Sequence, residues 1–516
     1  MGNNTSQEHH QGSTSKKGFL WSGGLQSTSS HDYPDFLVKL AKVLVAKSLA
    51  EDHVEGVTQS IFLKHVCNTH EVFGKRLFNY IAKHWSGKST TPTTPPSTPS
   101  HMDGKKKEGK EKSKGGNNCP HLSKSAFLAG ASHIISLLTD KAQMEFYIKV
   151  FSDDEEKIGR SDVEELIFAA YHSSTTTHKT CCLPDDILAA VVTGVMHGKG
   201  SVNTKYLQGW LDQHCPRIVM WLHRSLTHIL TTAHRTIPLN TQENQEDRET
   251  PILDCPNNSS CLNLHPALIW LLTCSIPRLY TRPIRAEQQR RPGDSMPSSP
   301  SHLLLDPHVF IEKMVSAVSP THWLPLYNSD TDGLSINRFQ HHVFGYQSAT
   351  LMFLTAEEGN MFCLACDQTW RDSQHFWGGD DCLCLHLTPE YKIIEAGPKI
   401  AYFNVSSRGY PTGLQVGTDY TNRALTLDLD LTMLTYRRIP LRLKAIEVWG
   451  CGTVEAKNAQ VDLKKRESRD TENRRKVKIN KSDWLDNPDR YLIEMAGNRL
   501  NYAQYETNSP GGASGN

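Results

Sequence analysis

The sequence predicts an α+β chain, with a helical N-terminal region followed by an antiparallel β-sandwich and its flanking helices. Three observations lead there. Ahead of residue 235 apolar residues recur at helical spacing, and after residue 320 they fall into short runs divided by turn residues. Stretches rich in Pro, Ser, Thr and charge, at 86–118 and 282–300, punctuate the chain. A length of 516 residues fits about three domains, and 38% hydrophobic content is enough for real cores.

Composition also narrows function. A formal net charge of +1 excludes nucleic-acid binding by bulk electrostatics. No apolar run reaches the roughly 18–20 residues a spanning helix needs, and residue 1 onward shows no apolar signal core. The expected location is therefore the cytoplasm and the cytoplasmic face of membranes, where the 13 cysteines stay mostly thiols.

Met1-Gly2-Asn3-Asn4-Thr5-Ser6 fits the N-myristoylation pattern, which needs a free Gly2 amine on a small-residue tail. One acyl chain gives only marginal binding, so a second signal is required. Lys105, Lys106, Lys107, Lys110, Lys112 and Lys114 supply a basic patch, each lysine near an anionic surface adding about 1 kcal/mol. The competing reading is a solvated linker, diluted by Glu108 and Glu111.

Residues 31–235 read as a helical region carrying the lysine-rich insertion. Phe36, Leu37, Leu40, Val43 and Leu44 set the first helix, and apolar patterns follow at 61–66, 77–81, 127–138 and 144–151. Residues 154–165 imitate a calcium loop, with acids at places one, three and twelve and Gly159 at six. Ile158 and Ser161 fall at the fifth and eighth places, so the match is degenerate, and Ser161 to Glu164 is a capping box in its own right. With 184–196 and 202–211 as a second helix pair, the region looks like a paired EF-hand scaffold without its metal chemistry. Residues 236–300 read as a linker around one buried helix at 264–276.

The domain at 301–452 opens with a helix at 309–318 behind Asp306-Pro307. A strand at 323–327, a turn ending on Gly333, a helix at 335–344 and a hairpin of 350–355 with 361–365 follow. Leu383, Leu385 and Leu387 alternate with Cys382, Cys384 and His386, and four leucines of 424–431 alternate with Asp428 and Asp430. Asp428 and Asp430 then read as a solvated strand face.

Zinc at Cys363, Cys366, Cys382, Cys384 and His386 is disfavoured, because residues three apart on a strand point to opposite faces. Glu447, placed with Leu443 and Trp449 on one strand face, pairs with Asp332 as an acid–base candidate or is a structural carboxylate. No nucleophile elbow, phosphate loop or metalloprotease helix occurs, so no catalytic residue, metal or cofactor is assigned. Residues 453–481 read as a basic linker, and Trp484, Tyr491, Leu492, Met495 and Leu500 as the docking stripe of a short terminal helix.

His322 to Ser329 with Asp332-Gly333, Thr350 to Leu354, Trp370 with Phe376-Trp377-Gly378, and Ile446 to Gly450 together resemble the TLDc domain, the module of the oxidation-resistance proteins. Trp323, Asp332, Gly333, Trp370, Gly378, Glu447, Trp449 and Gly450 carry the resemblance. Phe362-Cys363 and the Gly417 to Asn422 turn depart from the family pattern. With Gly2 and the EF-hand-like region, the whole chain resembles the myristoylated, lysosome-associated branch linked to mTOR signalling. The resemblance implies a non-enzymatic regulator whose partner is the vacuolar proton ATPase; an antioxidant activity and a calcium switch are its rivals.

Overall fold

The computed structural model describes residues 33–68, 70–86, 120–175, 183–237, 253, 265–281, 322–421, 423–475, 492 and 495. Among them, helix–loop–helix units build the N-terminal part. α1 (Asp35–Glu51) and α2 (Gln59–His65) flank strand β1 (Val57–Thr58), and α3 (Glu71–Trp85) and α4 (Lys124–Ser136) flank β2 (His121–Leu122). α5 (Asp140–Ser152) and α6 (Arg160–His172) flank β3 (Lys157–Gly159), and α7 (Asp185–Met196) and α8 (Thr204–His214) flank β4 (Ser201–Asn203). Hydroxyls start several of these helices: Thr58, Ser123 and Thr139 accept from the backbone N–H three residues on.

β1 pairs with β2 and β3 with β4, both antiparallel, which is how EF-hands couple in twos. The second pair is the one legible in the sequence. The first is a finding, hidden because the lysine-rich insertion falls between α3 and β2, inside the loop of one unit.

α9 (Met220–Thr236) packs back on α1, and α10 (Pro266–Ser275) follows with α11 (Arg278–Thr281). The predicted buried helix at 264–276 is present as α10, and its residues from Ala267 to Ser275 are all buried. Arg217 donates to the Thr273 and Ile276 carbonyls, supplying the orphan acceptors at the end of α10 with a cation.

The remainder is strand-rich. β5 (Leu324–Asn328), the short α12 (Ser329–Asp332) and α13 (Ile336–Val343) lead into β6 (Thr350–Ala356), β7 (Met361–Cys366), β8 (Leu383–Thr388) and β9 (Lys392–Ala396). β10 (Ala401–Asn404), β11 (Gly413–Gly417), β12 (Arg423–Leu427), β13 (Met433–Tyr436) and β14 (Ile439–Gly450) complete it, and α14 (Val454–Arg475) follows. The strand order is β10-β11-β12-β13-β14-β6-β7-β8-β9, with β5 also on β14.

One long strand makes the expected sandwich. The first residues of β14 pair with β13, and from Leu443 it pairs with β6, with a bulge between Leu443 and Ala445. A bulge bends a strand and lets it pass from one layer to the next. Met352, Leu354, Phe362, Leu364 and Cys384 from one layer then meet Leu414, Val416, Leu425 and Leu434 from the other.

The other face of the β6–β8 layer is covered too. Leu351, Phe353, Cys363, Leu383, Leu385 and Leu387 share a core with the helices. This explains why residues 351–354 form a continuous apolar run: a strand covered on both faces has no polar side. The alternation of Leu383 to Leu387 with Cys382, Cys384 and His386 separates two buried faces.

Two further expectations are corrected. β12 ends at Leu427, and Asp428 closes the following turn by accepting from Thr432 N, Thr432 Oγ1 and Met433 N, so Asp428 and Asp430 are no strand face. Within the basic stretch after residue 453, Val454–Arg475 is helix α14 rather than linker, and 476–481 lie outside the described residues. Gln460 docks it, donating to the exposed carbonyls at the end of α13. The expected helix at 309–318 lies outside the described residues.

The helical part is fastened to the sheet at the β8–β9 turn. Tyr391 N donates to the Ala190 carbonyl of α7, Ile393 N to His214 Nδ1 of α8, and the Tyr391 hydroxyl to Ser275 Oγ of α10. A Cβ on Gly194 would overlap the Tyr391 carbonyl oxygen. Gly194→Ala is therefore expected to lower stability by about 1–3 kcal/mol in urea denaturation, through overpacking of this joint.

Burial holds His223 down to about 3 and His386 down to about 4. Both folded values lie below the unfolded value of about 6.5, so the unfolded chain takes up protons first and stability is lost as pH falls below it. Between pH 7 and 5 each histidine is expected to remove up to about 2 kcal/mol. His386→Phe, which keeps the stacking on Phe362, should shrink that loss in urea titrations at the two pH values.

Candidate functional site

The turn from β5 into α12 builds a polar cavity at the sheet edge. Asn328 caps α12 by accepting from Asp330 N, and Asp332 Oδ2 reaches back to accept from Asn328 N at 3.0 Å. Gly333 follows with φ of 81°, a conformation that suits glycine, and its carbonyl accepts from the Tyr327 hydroxyl. Ser329 Oγ accepts from Ile446 N, tying the turn to β14.

Across the gap β14 presents Glu447 and Trp449. The result is a cavity of about 490 Å³ lined by Tyr327, Asn328, Asp330, Asp332, His342 and Glu447, among others. The structure thus brings Asp332 and Glu447 to one site, as the sequence suggests. It does not place Leu443 with them. The bulge after Leu443 turns that side chain into the sandwich core with Ile446 and Val448, while Glu447 and Trp449 stay on the opposite face.

Both carboxylates have structural partners: Asp332 the Asn328 amide, and Glu447 the Trp449 indole N–H at 3.4 Å. Burial lowers the His342 pKa, with the Asp332 carboxylate 4.0 Å away opposing it. A neutral imidazole beside fixed acceptors makes a site that receives hydrogen-bond donors and cations. His342, Asn328 and Asp330 escaped sequence reasoning because only the fold of the 328–333 turn brings them to Glu447.

The other motif residues are structural. Trp323 is buried and donates to the Tyr280 carbonyl at 2.7 Å, joining the sheet to the segment after α10. Trp370 donates to Thr350 Oγ1 and packs on Phe339, Trp377 and Phe403. Gly378 has φ of 120° and abuts Cys382, and a Cβ on Gly450 would lie 2.5 Å from the Tyr346 ring. A second cavity, about 420 Å³ near Asp367 and Arg371, has its carboxylate committed to Gly379 N and Asp381 N.

Among the described residues Cys363, Cys366, Cys382, Cys384 and His386 do not converge as a zinc set. Cys363 faces the helices and Cys366 the sandwich interior, as strand alternation requires. Burial raises the Cys363, Cys366 and Cys451 thiols, and Cys384 to about 12, which suppresses the nucleophilic thiolate. Among the described residues no cluster of three His, Cys, Asp or Glu could hold a metal.

The calcium-like loop is also reframed. Ile158 is the residue paired across the bridge, to Val202, which puts it at the apolar eighth place and moves the loop to 151–162. The end of that loop already holds a cation. Arg76 from α3 donates to Asp162 at 2.6 Å, to Glu165 at 3.1 Å and to the Phe151 carbonyl at 2.8 Å. Asp154 is paired with Lys83 and His84.

Gly2, the lysines at 105–114, Trp484, Tyr491 and Leu500 lie outside the described residues. Leu492 and Met495 are 64% and 82% exposed. No helix among the described residues is long and apolar enough to cross a membrane.

The strand-rich part is a β-sandwich covered on both faces of one layer, with an acceptor-lined cavity at its edge. Residues 310–452 match the family model of the TLDc domain, and the chain carries that domain. A comparison with curated proteins gave no match.

Asp332→Ala should cost about 1 kcal/mol in urea denaturation, since the Asn328 amide loses its acceptor. Glu447→Gln, which keeps an acceptor for the Trp449 indole, should leave the fold intact by near-ultraviolet circular dichroism.

Proposed function

We propose that this protein is a membrane-tethered, non-enzymatic regulator that docks its TLDc domain onto a protein complex. The observation that carries this reading is the cavity between α12, α13 and β14, whose fixed acceptors adjoin the base of α14. Gln460 and Lys464 of that helix hold the end of α13, next to His342. Cavity and helix therefore form one continuous polar surface suited to a protein partner with exposed amides and cations.

The Gly2 pattern and the lysines at 105–114 support attachment to an anionic cytoplasmic surface. The likeness to the lysosome-associated branch makes the vacuolar proton ATPase and mTOR components the first partners to examine. Exposed Leu492 and Met495 support a further contact from the terminal segment.

Gly2→Ala should move the protein from the membrane to the soluble fraction on cell fractionation. Asp330→Lys at the cavity rim should cut affinity capture of the proton pump by about tenfold, as one charge reversed at a rim contact does. Membrane retention of the first variant equal to that of the parent would refute the tether, and undiminished capture by the second would refute the docking face.

A further inference from the structure

The hairpin between β13 and β14 turns in two residues, Arg437 and Arg438, between the paired Tyr436 and Ile439. Both arginines have positive φ, 48° and 70°. A two-residue turn with both central residues in this region is type I′, for which Asn-Gly is the preferred sequence. A side chain with a Cβ is penalised there, so local stability does not account for an arginine pair.

What the pair contributes is charge at a convex tip. Arg442 and Lys444 are exposed on the outer side of β14, and Arg423 is exposed at the start of neighbouring β12. None of these cations forms an ion pair with a carboxylate of the described residues. Arg437 lies over the Tyr436 ring at 5.4 Å, which steadies its stem at the tip.

Apolar groups stand among the charges. Ile439 is 60% exposed, Met433 is 40% exposed opposite Arg442, and Pro440 is exposed between them. A protein partner would need a pocket for Ile439 as well as acids for the arginines. An anionic bilayer satisfies both without a matched shape: headgroup phosphates take the guanidinium groups, and the isolated apolar side chains enter the acyl boundary.

We propose that the β13–β14 hairpin is a membrane contact for anionic phospholipid, separate from any lipid on Gly2. It goes beyond the tether proposed above in needing no acyl chain, and it accounts for the strained turn as the means of presenting two guanidinium groups at the tip.

The test uses the full chain with Gly2→Ala and phosphatidylcholine vesicles with and without phosphatidylserine, at about 0.1 M salt. Replacing the tip by Arg437→Asn with Arg438→Gly should weaken binding to phosphatidylserine vesicles by about tenfold or more. The same change should raise the melting temperature by a few degrees, because Asn-Gly fits the turn. A weaker vesicle affinity in a more stable protein cannot come from misfolding. Ile439→Ser, with charge unchanged, should reduce affinity several-fold without altering its salt dependence. Unchanged vesicle affinity in both variants overturns the proposal. So does binding of the parent chain to a polyglutamate peptide but not to vesicles, which would assign the tip to an acidic protein. Because every arm lacks the acyl chain, failure here leaves the Gly2 tether standing.

Discussion

The architecture depends on one backbone contact, where the β8–β9 turn lies against α7. Tyr391 donates its amide to Ala190 and its hydroxyl to Ser275, and the approach is close enough that only glycine fits at 194. Around this joint α10 supplies nearly pure apolar surface, so the helices and the inner sheet share one core. Burial of apolar area gives such an interface its strength, and the few hydrogen bonds fix its register. The TLDc domain is thereby held at a set orientation to the helical units, leaving the second layer and the cavity edge open.

The open side divides its labour by chemistry. The cavity around Asp332 and Glu447 offers acceptors, the β13–β14 tip offers cations and isolated apolar groups, and α14 extends from the edge of α13. Each lies on the sheet part, and each is held by backbone hydrogen bonds or a capped helix end. The Cys363 and Cys366 thiols and the His386 imidazole are buried, and burial favours their neutral forms.

Elements with strong periodicity were legible in the sequence. The first helix, the apolar helical patterns at 61–66, 77–81, 127–138 and 144–151, the 350–365 hairpin, the buried helix at 264–276 and the positive φ of Gly333 follow from spacing and residue type, whereas α14 reads as linker. What escaped was set by distant parts of the chain. Leu443 and Glu447 are four apart and read as one face, yet a bulge separates them. Asp428 continues an alternation but is captured by the amides of the next turn. The calcium-like loop was framed by its acids, whereas the bridge from Ile158 to Val202 sets the true frame. Sequence carries local preference well, and these outcomes were decided by pairing between segments. The same holds for the joint at Gly194 and Tyr391, two residues that nothing in sequence order connects.

Arg76 has a wider meaning for the helical half. In a calcium sensor the loop empties and fills with ion concentration, and the helices respond. Here the positive charge belongs to a side chain that is always protonated and is anchored on α3, across from the loop it neutralises. It is part of the chain and cannot diffuse away. The loop between α5 and α6 thus carries its positive charge on a side chain of the neighbouring unit, and α3 is tied to α6 through it.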